Sequence, residues 1–138
     1  MKNFEPLATD RADRIDATLV LGVLLVDTVM LAVIEIMYVT LTAHGAPLPL
    51  SALLALITTP WLVRRAGELA TGTRGAVLVL LAWTGVVAVL GLGGPGGDVL
   101  LPGTWSSILF LLAGLIPGGF GLGRVIRHRR DVNAAAGT

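Results

Sequence analysis

The stretch from Ala17 to Ala43 is long and apolar enough to cross a bilayer, yet it contains two acidic residues, Asp27 and Glu35. As a helix it would measure roughly 40 Å, against about 30 Å for the hydrocarbon core of a bilayer. A charged Asp at the centre of a spanning helix costs about 2.5–3.5 kcal/mol, so acids there are rare and usually functional. We expect this helix to carry whatever the chain does beyond residing in a membrane, because the other apolar stretches contain no ionisable residue.

The composition of the whole chain predicts an integral membrane protein. Of its 138 residues, 54% are hydrophobic and 14% are charged, and the mean hydropathy is +0.84. Soluble domains average about 25% charged residues, so this chain has too few polar groups to cover a soluble globule. The absence of Cys excludes disulfides and thiolate metal sites.

Four apolar stretches predict four spanning helices, at about 17–43, 48–63, 75–92 and 104–123. A polar N-terminal segment, 1–16, precedes them, and a basic tail, 124–138, follows them. Turn-forming residues separate the first two spans, and Arg64 is expected to end the second. Short connections predict an all-α fold in which the four helices form an up-down antiparallel bundle.

The positions of the basic residues predict the orientation. They are Lys2, Arg11 and Arg14 before the first span; Arg64, Arg65 and Arg74 between the second and third; and Arg124, Arg127, Arg129 and Arg130 after the fourth. The other two loops contain none, so the positive-inside rule places both termini in the cytoplasm. We expect a multi-pass protein of the bacterial cytoplasmic (inner) membrane.

The two acids lie eight residues apart in the sequence, which on a helix corresponds to about 80° around the axis and about 12 Å along it. They are therefore expected to share a face that meets other helices or a wet cavity, as two separate sites. The opposite face carries only aliphatic side chains and is expected to meet lipid: Val26, Val29, Val33 and Ile36. Glu35 is expected near the outer edge of the membrane.

Asp27 is expected near the middle of the membrane, where this chain has no basic residue. It must therefore be protonated, hydrogen-bonded to a group such as Thr84, Trp83 or a backbone carbonyl, or paired with another chain. Its function is open between a polar contact to a partner and a site for a proton or cation.

The fourth span contains two pairs of glycines at GxxxG spacing, Gly114 with Gly118 and Gly119 with Gly123. This spacing lets helix backbones approach closely, so both pairs are predicted to pack against a neighbouring helix. Pro117 is predicted to kink the same helix, because it cannot donate a backbone hydrogen bond.

The basic tail is predicted to flank the membrane and attract anionic lipid, rather than bind nucleic acid, through Arg124, Arg127, Arg129 and Arg130. His44 and His128 are expected on opposite sides of the membrane, so they cannot share a metal ion. No Ser–His–Asp set and no HExxH motif is present. We therefore expect neither enzymatic activity, nor a metal, nor a cofactor.

Residues from about Gly72 to Gly121 contain TGTR, a Trp-containing span, PGGDVLLPG and LLAGLIPGG in that order. In these motifs the chain resembles a family of small four-span actinobacterial integral membrane proteins of unknown function. The resemblance implies a four-helix membrane fold and supplies no activity. The chain is also similar in size to small multidrug exporters, whose first helix carries a functional Glu as this one carries Glu35, although Asp27 departs from that pattern.

Two functions follow from these features. The first is a non-enzymatic accessory or scaffolding subunit of an inner-membrane assembly, in which the acids of the first span, Asp27 above all and Glu35, contact a membrane protein partner or another copy. The second is a small transporter coupled to protons or cations, with Asp27 and Glu35 as the binding acids.

Overall fold

The computed structural model describes residues 5–39, 42–43, 46–47, 50–70, 72–93, 101 and 103–137. It contains four helices: α1 (Glu5–Val39), α2 (Leu50–Leu69), α3 (Thr73–Leu92) and α4 (Trp105–Ala136). Between α1 and α2, the two-residue strands β1 (Thr42–Ala43) and β2 (Ala46–Pro47) pair antiparallel, with Thr42 opposite Pro47. Apart from this short pair, the described chain is all-α, as predicted.

Three of the helices differ in extent from the predicted spans. Helix α1 begins at Glu5, within the polar segment 1–16 that was predicted to precede the first span. It ends at Val39, shortly before Thr42 and Ala43, which pair with β2. Helix α2 continues past Arg64, and α4 continues through the basic tail to Ala136. Arg is a good helix former, so a change from apolar to basic residues does not by itself end a helix.

Within the described residues, three helical segments are long and apolar enough to cross a membrane: Asp13–Val39, Thr73–Leu92 and Trp105–Ala136. This supports a membrane protein built from a helix bundle. Helix α2 falls outside this group because its window includes Pro60, Arg64 and Arg65, which lower the mean hydropathy. Its passage through the membrane and the cytoplasmic location of the termini therefore stay predictions.

The most extensive helix interface joins α2 to α4. The two helices run parallel: Thr59 lies against Gly118, and Gly67 further along α2 lies against Val125 further along α4. Parallel packing of the second and fourth helices is what an up-down-up-down bundle requires.

Helix α3 runs in the opposite direction to α4, since Leu80 lies against Gly118 while Trp83 lies against Gly114. Helix α1 packs against α2 and α3 and scarcely touches α4. The pair α2 and α3 therefore separates α1 from α4, and one side of α1 is left uncovered.

Two clusters of buried side chains fill the bundle. One contains Ala32, Val39, Ala55, Trp83, Val87 and Phe110; the other contains Leu62, Val63, Ala66, Ala76, Val79 and Val125. Large apolar side chains also cover the outside of all four helices, including Val23, Ile57, Leu81 and Phe120. A soluble monomer rarely exposes so much apolar surface, whereas lipid solvates it.

Candidate functional site

Glu35 is fully buried, at 0% exposure, where α1 meets α2 and α3. Its two carboxyl oxygens have different partners. The Thr58 hydroxyl of α2 donates to Oε1 at 2.5 Å, and the Trp83 indole N–H of α3 donates to Oε2 at 2.8 Å. A buried carboxyl is tolerated when such donors replace water, so Glu35 acts as a clamp that joins three helices.

The Thr58 hydroxyl lies within hydrogen-bonding distance of a second acceptor, the backbone carbonyl of Leu54, at 2.8 Å. A hydroxyl has one proton and can donate to only one of the two acceptors at a time. The Thr58 proton is therefore shared between Glu35 of α1 and the Leu54 carbonyl of its own helix.

A slot in α4 holds the Trp83 side chain in position. Gly114 faces the indole so closely that a Cβ there would lie 2.2 Å from the ring atom Cη2. The Phe110 ring packs beside the indole, with the two ring centroids 5.5 Å apart and the planes tilted by 53°. Thus α4 fixes the side chain that donates to Glu35.

Asp27 lies on the uncovered side of α1 and is exposed. It borders a shallow groove on that helix, formed by Thr18, Leu19, Gly22, Val23, Val26 and Met30. No hydrogen bond or ion pair joins it to any residue that the structure describes. The predicted donors are engaged elsewhere, Trp83 with Glu35 and Thr84 with the carbonyl of Leu80.

From the 80° separation we expected the two acids to share a face that meets other helices. This prediction was wrong, because Glu35 is buried between helices and Asp27 is exposed. Ile36, assigned to the lipid-facing side, is buried at 1% exposure next to Glu35, whereas Val26 beside Asp27 is 65% exposed. The reason is that α1 buries only a narrow stripe, made by Thr28, Ala32, Glu35, Ile36 and Val39. The small residues Thr28 and Ala32, one turn apart, were the signal in the sequence that could have located it.

The two GxxxG pairs of α4 differ in how closely neighbouring helices approach them. Gly114 lies against Trp83, and Gly118 lies against Leu80 and Thr59, whereas a Cβ on Gly119 or Gly123 would meet nothing within 4 Å. Only the first GxxxG pair therefore packs within the described chain.

Gly121, which belongs to neither GxxxG pair, continues that packed stripe one turn further along α4. A Cβ there would lie 3.4 Å from the carbonyl oxygen of Pro60 and 3.5 Å from Val63.

Helix α4 runs unbroken through Pro117, so any bend at that residue does not interrupt the helix.

At the end of the bundle that carries Arg74, a cleft of about 600 Å³ opens between α2 and α4. We call it the basic cleft; it is lined by Arg64, Gly67, Glu68, Arg124, Val125, His128, Arg129, Val132 and Asn133. Two of the four arginines predicted to attract anionic lipid, Arg124 and Arg129, line it, whereas Arg127 and Arg130 do not.

Within the described ranges, no three His, Asp or Glu side chains cluster closely enough to hold a metal ion. No protein-family model, curated protein or solved structure matches the chain. The geometry of the two acids and of the basic cleft is therefore the basis for inferring function.

Proposed function

We propose that this protein is a non-enzymatic accessory subunit of an inner-membrane assembly, and that the Asp27 side of α1 binds a transmembrane helix of another protein. The observation that supports this most is the position of Asp27. It is exposed on the outer surface of the bundle, close to the midpoint of the apolar segment Asp13–Val39, without a partner among the described residues.

An outward-facing acid at this depth is unfavourable in an isolated bundle. A charged Asp at the centre of a spanning helix costs about 2.5–3.5 kcal/mol, and no neighbouring helix of this chain lowers that cost. A Lys or Arg on a partner helix at the same depth would offset it, because oppositely charged side chains attract strongly where water is excluded. The shallow groove beside Asp27 offers apolar surface on which such a helix can pack.

A second copy of the chain is a poorer occupant of this surface. All ten basic residues lie outside the four predicted spans, so another copy brings no cation to the depth of Asp27. A symmetric dimer through this side of α1 would bring acid towards acid. Charge complementarity therefore favours a different protein with a basic residue in its span.

The membrane arrangement that we propose has four crossings, with both termini in the cytoplasm. The side chains of α2 support its passage through the membrane although its mean hydropathy is modest. Its polar residues Ser51 and Thr59 point into the bundle, whereas its exposed residues before Arg64 are apolar: Leu50, Leu53, Leu54, Leu56, Ile57 and Trp61. Lipid would thus meet an apolar surface.

The end of α2 has the features of a membrane boundary. The Arg65 guanidinium lies 5.7 Å from the centroid of the Trp61 ring, and both side chains are exposed. Trp and Arg are typical of the interface between hydrocarbon and water. This favours a boundary near Trp61.

A transporter coupled to protons or cations needs binding acids that line one path. Glu35 is enclosed by α2 and α3, whereas Asp27 faces outward from the bundle. Both oxygens of Glu35 also have donors from neighbouring helices. The geometry therefore favours the accessory subunit over the transporter.

The proposal is tested by photo-crosslinking in the native membrane, with a photoreactive amino acid replacing Val23 or Val26 beside Asp27. We expect a stoichiometric crosslink to a transmembrane helix that carries Lys or Arg, and Asp27→Leu should abolish it. Met30→Leu, on the same groove, is the matched control and should preserve it. Neutralising the partner's basic residue should reproduce the loss.

Two results would overturn the proposal. One is that the protein purifies in mild detergent as a lone monomer and gives no crosslink in the membrane. The other is a crosslink that survives Asp27→Leu, since contact would then be independent of the acid.

A further inference from the structure

The basic cleft between α2 and α4 has an unbalanced charge. Three arginines line it, Arg64, Arg124 and Arg129, together with His128. The single acid in its lining, Glu68, lies 4.0 Å from Nη1 of Arg65, which is not part of the lining. No acid among the described residues forms an ion pair with any of the three arginines. The cleft is therefore a concave surface on which positive charge exceeds negative charge.

Arg129 is held against the turn between α2 and α3. Gly72 in this turn has a positive φ of 66°, and a Cβ on it would lie 2.1 Å from Cζ of Arg129. Only a glycine both adopts this backbone conformation readily and leaves room for the guanidinium. The turn thus has a shape that accommodates Arg129 beside the cleft.

The lining also has an apolar part. Val125 and Val132 lie on one face of α4, about two turns apart, and Gly67 of α2 packs directly against Val125. Arginines next to aliphatic side chains, at the end of membrane helices, match a ligand with an anionic head and an apolar body. The volume of about 600 Å³ exceeds what a single phosphate ion would fill.

We propose that the basic cleft is a binding site for the phosphodiester headgroup of an anionic phospholipid. Arg64 and Arg124 approach it from the two opposing helices, and Arg129 approaches from the side of the α2–α3 turn. Guanidinium groups suit this ligand because they bind phosphate oxygens through paired N–H donors. Basic pockets between helices at the cytoplasmic side are where lipid headgroups bind in membrane proteins. The site is independent of Asp27 and of any partner protein.

The test is native mass spectrometry of the purified chain in detergent, with phosphatidylglycerol or phosphatidylcholine added. We expect phosphatidylglycerol to bind in a one-to-one complex and phosphatidylcholine to bind at least about tenfold more weakly. The double variant Arg64→Gln, Arg124→Gln should weaken phosphatidylglycerol binding about tenfold or more.

The matched control is Arg127→Gln, Arg130→Gln, which removes the same charge from the same end of the bundle but outside the cleft. It should change binding by less than about twofold. Both double variants should retain the thermal unfolding midpoint of the unaltered chain, because all four arginines are exposed.

Three results would overturn the inference. Equal losses in the two double variants would mean diffuse attraction to a charged surface instead of a site. Equal binding of phosphatidylcholine would mean that the headgroup charge is not recognised. Full displacement of phosphatidylglycerol by millimolar inorganic phosphate would assign the cleft to a soluble anion.

Discussion

The indole N–H of Trp83 lies 2.8 Å from Oε2 of Glu35, so a hydrogen bond in the core connects the third helix to the first. Thr58 connects the second helix to the same carboxyl. Three helices thus meet at one side chain, and the fourth supports the indole through Gly114.

Glu35→Ala should destabilise the bundle by about 2–4 kcal/mol, because it leaves a cavity and leaves the buried Trp83 indole N–H without an acceptor. Glu35→Gln should cost less than about 1 kcal/mol, since an amide can accept from Trp83 and donate to Thr58 Oγ1. Thermal unfolding in detergent compares the two variants. If Glu35→Gln were as damaging as Glu35→Ala, the three-helix contact would require a carboxyl at position 35, and an amide would not replace it.

Thr58→Val should lower stability by about 1 kcal/mol, because it removes the hydrogen bond that joins α2 to Glu35 of α1. Thr84→Val is the matched control, since the Thr84 hydroxyl donates only to Leu80 O of its own helix. The same unfolding measurement should find the control within about 0.5 kcal/mol of the unaltered chain. Equal effects of the two substitutions would contradict a role for Thr58 between helices.

Gly114→Ala should cost about 1–3 kcal/mol and disturb the environment of Trp83, because the new methyl group would overlap the indole. Gly119→Ala should be close to neutral, since nothing lies within 4 Å of the position its Cβ would take. Unfolding together with Trp fluorescence reports both effects. A loss of stability in Gly119→Ala would instead indicate that this glycine packs against another molecule.

Asp27→Leu should leave the isolated bundle folded, or stabilise it, because the acid forms no hydrogen bond or ion pair with the described residues and faces the surrounding lipid or detergent. The unfolding midpoint in detergent measures this, with Met30→Leu as the control on the same side of α1. A clear loss of stability in Asp27→Leu alone would mean that Asp27 supports the bundle itself, which would weaken the case for a partner.

Passage of α2 through the membrane can be measured by labelling single cysteines, because the natural chain contains none. In intact cells, an impermeant thiol reagent should label Gly45→Cys and Gly97→Cys from outside. Thr71→Cys and Gly137→Cys should react only after the cells are opened. If Gly45→Cys and Thr71→Cys behaved alike, α2 would not cross, and the two termini would lie on opposite sides.

Much of the fold could be predicted from the sequence, because hydropathy and charge are properties of each residue averaged along the chain. The apolar stretches located the four helices, and the helical repeat gave the spacing of Gly114 and Gly118. Helix ends were predicted less well, since backbone hydrogen bonds continue from apolar into basic residues. Thus α4 extends through Arg124 to Ala136.

The sequence by itself determined that Asp27 and Glu35 lie in one apolar helix and are about 80° apart around it. Only the tertiary structure decided that Glu35 is buried in the bundle while Asp27 is exposed on its outer side. The physical reason is that helical periodicity fixes angles within α1 but not the side from which α2 and α3 approach it. That side depends on how small residues such as Ala32 and Gly114 let neighbouring backbones and the Trp83 ring come close.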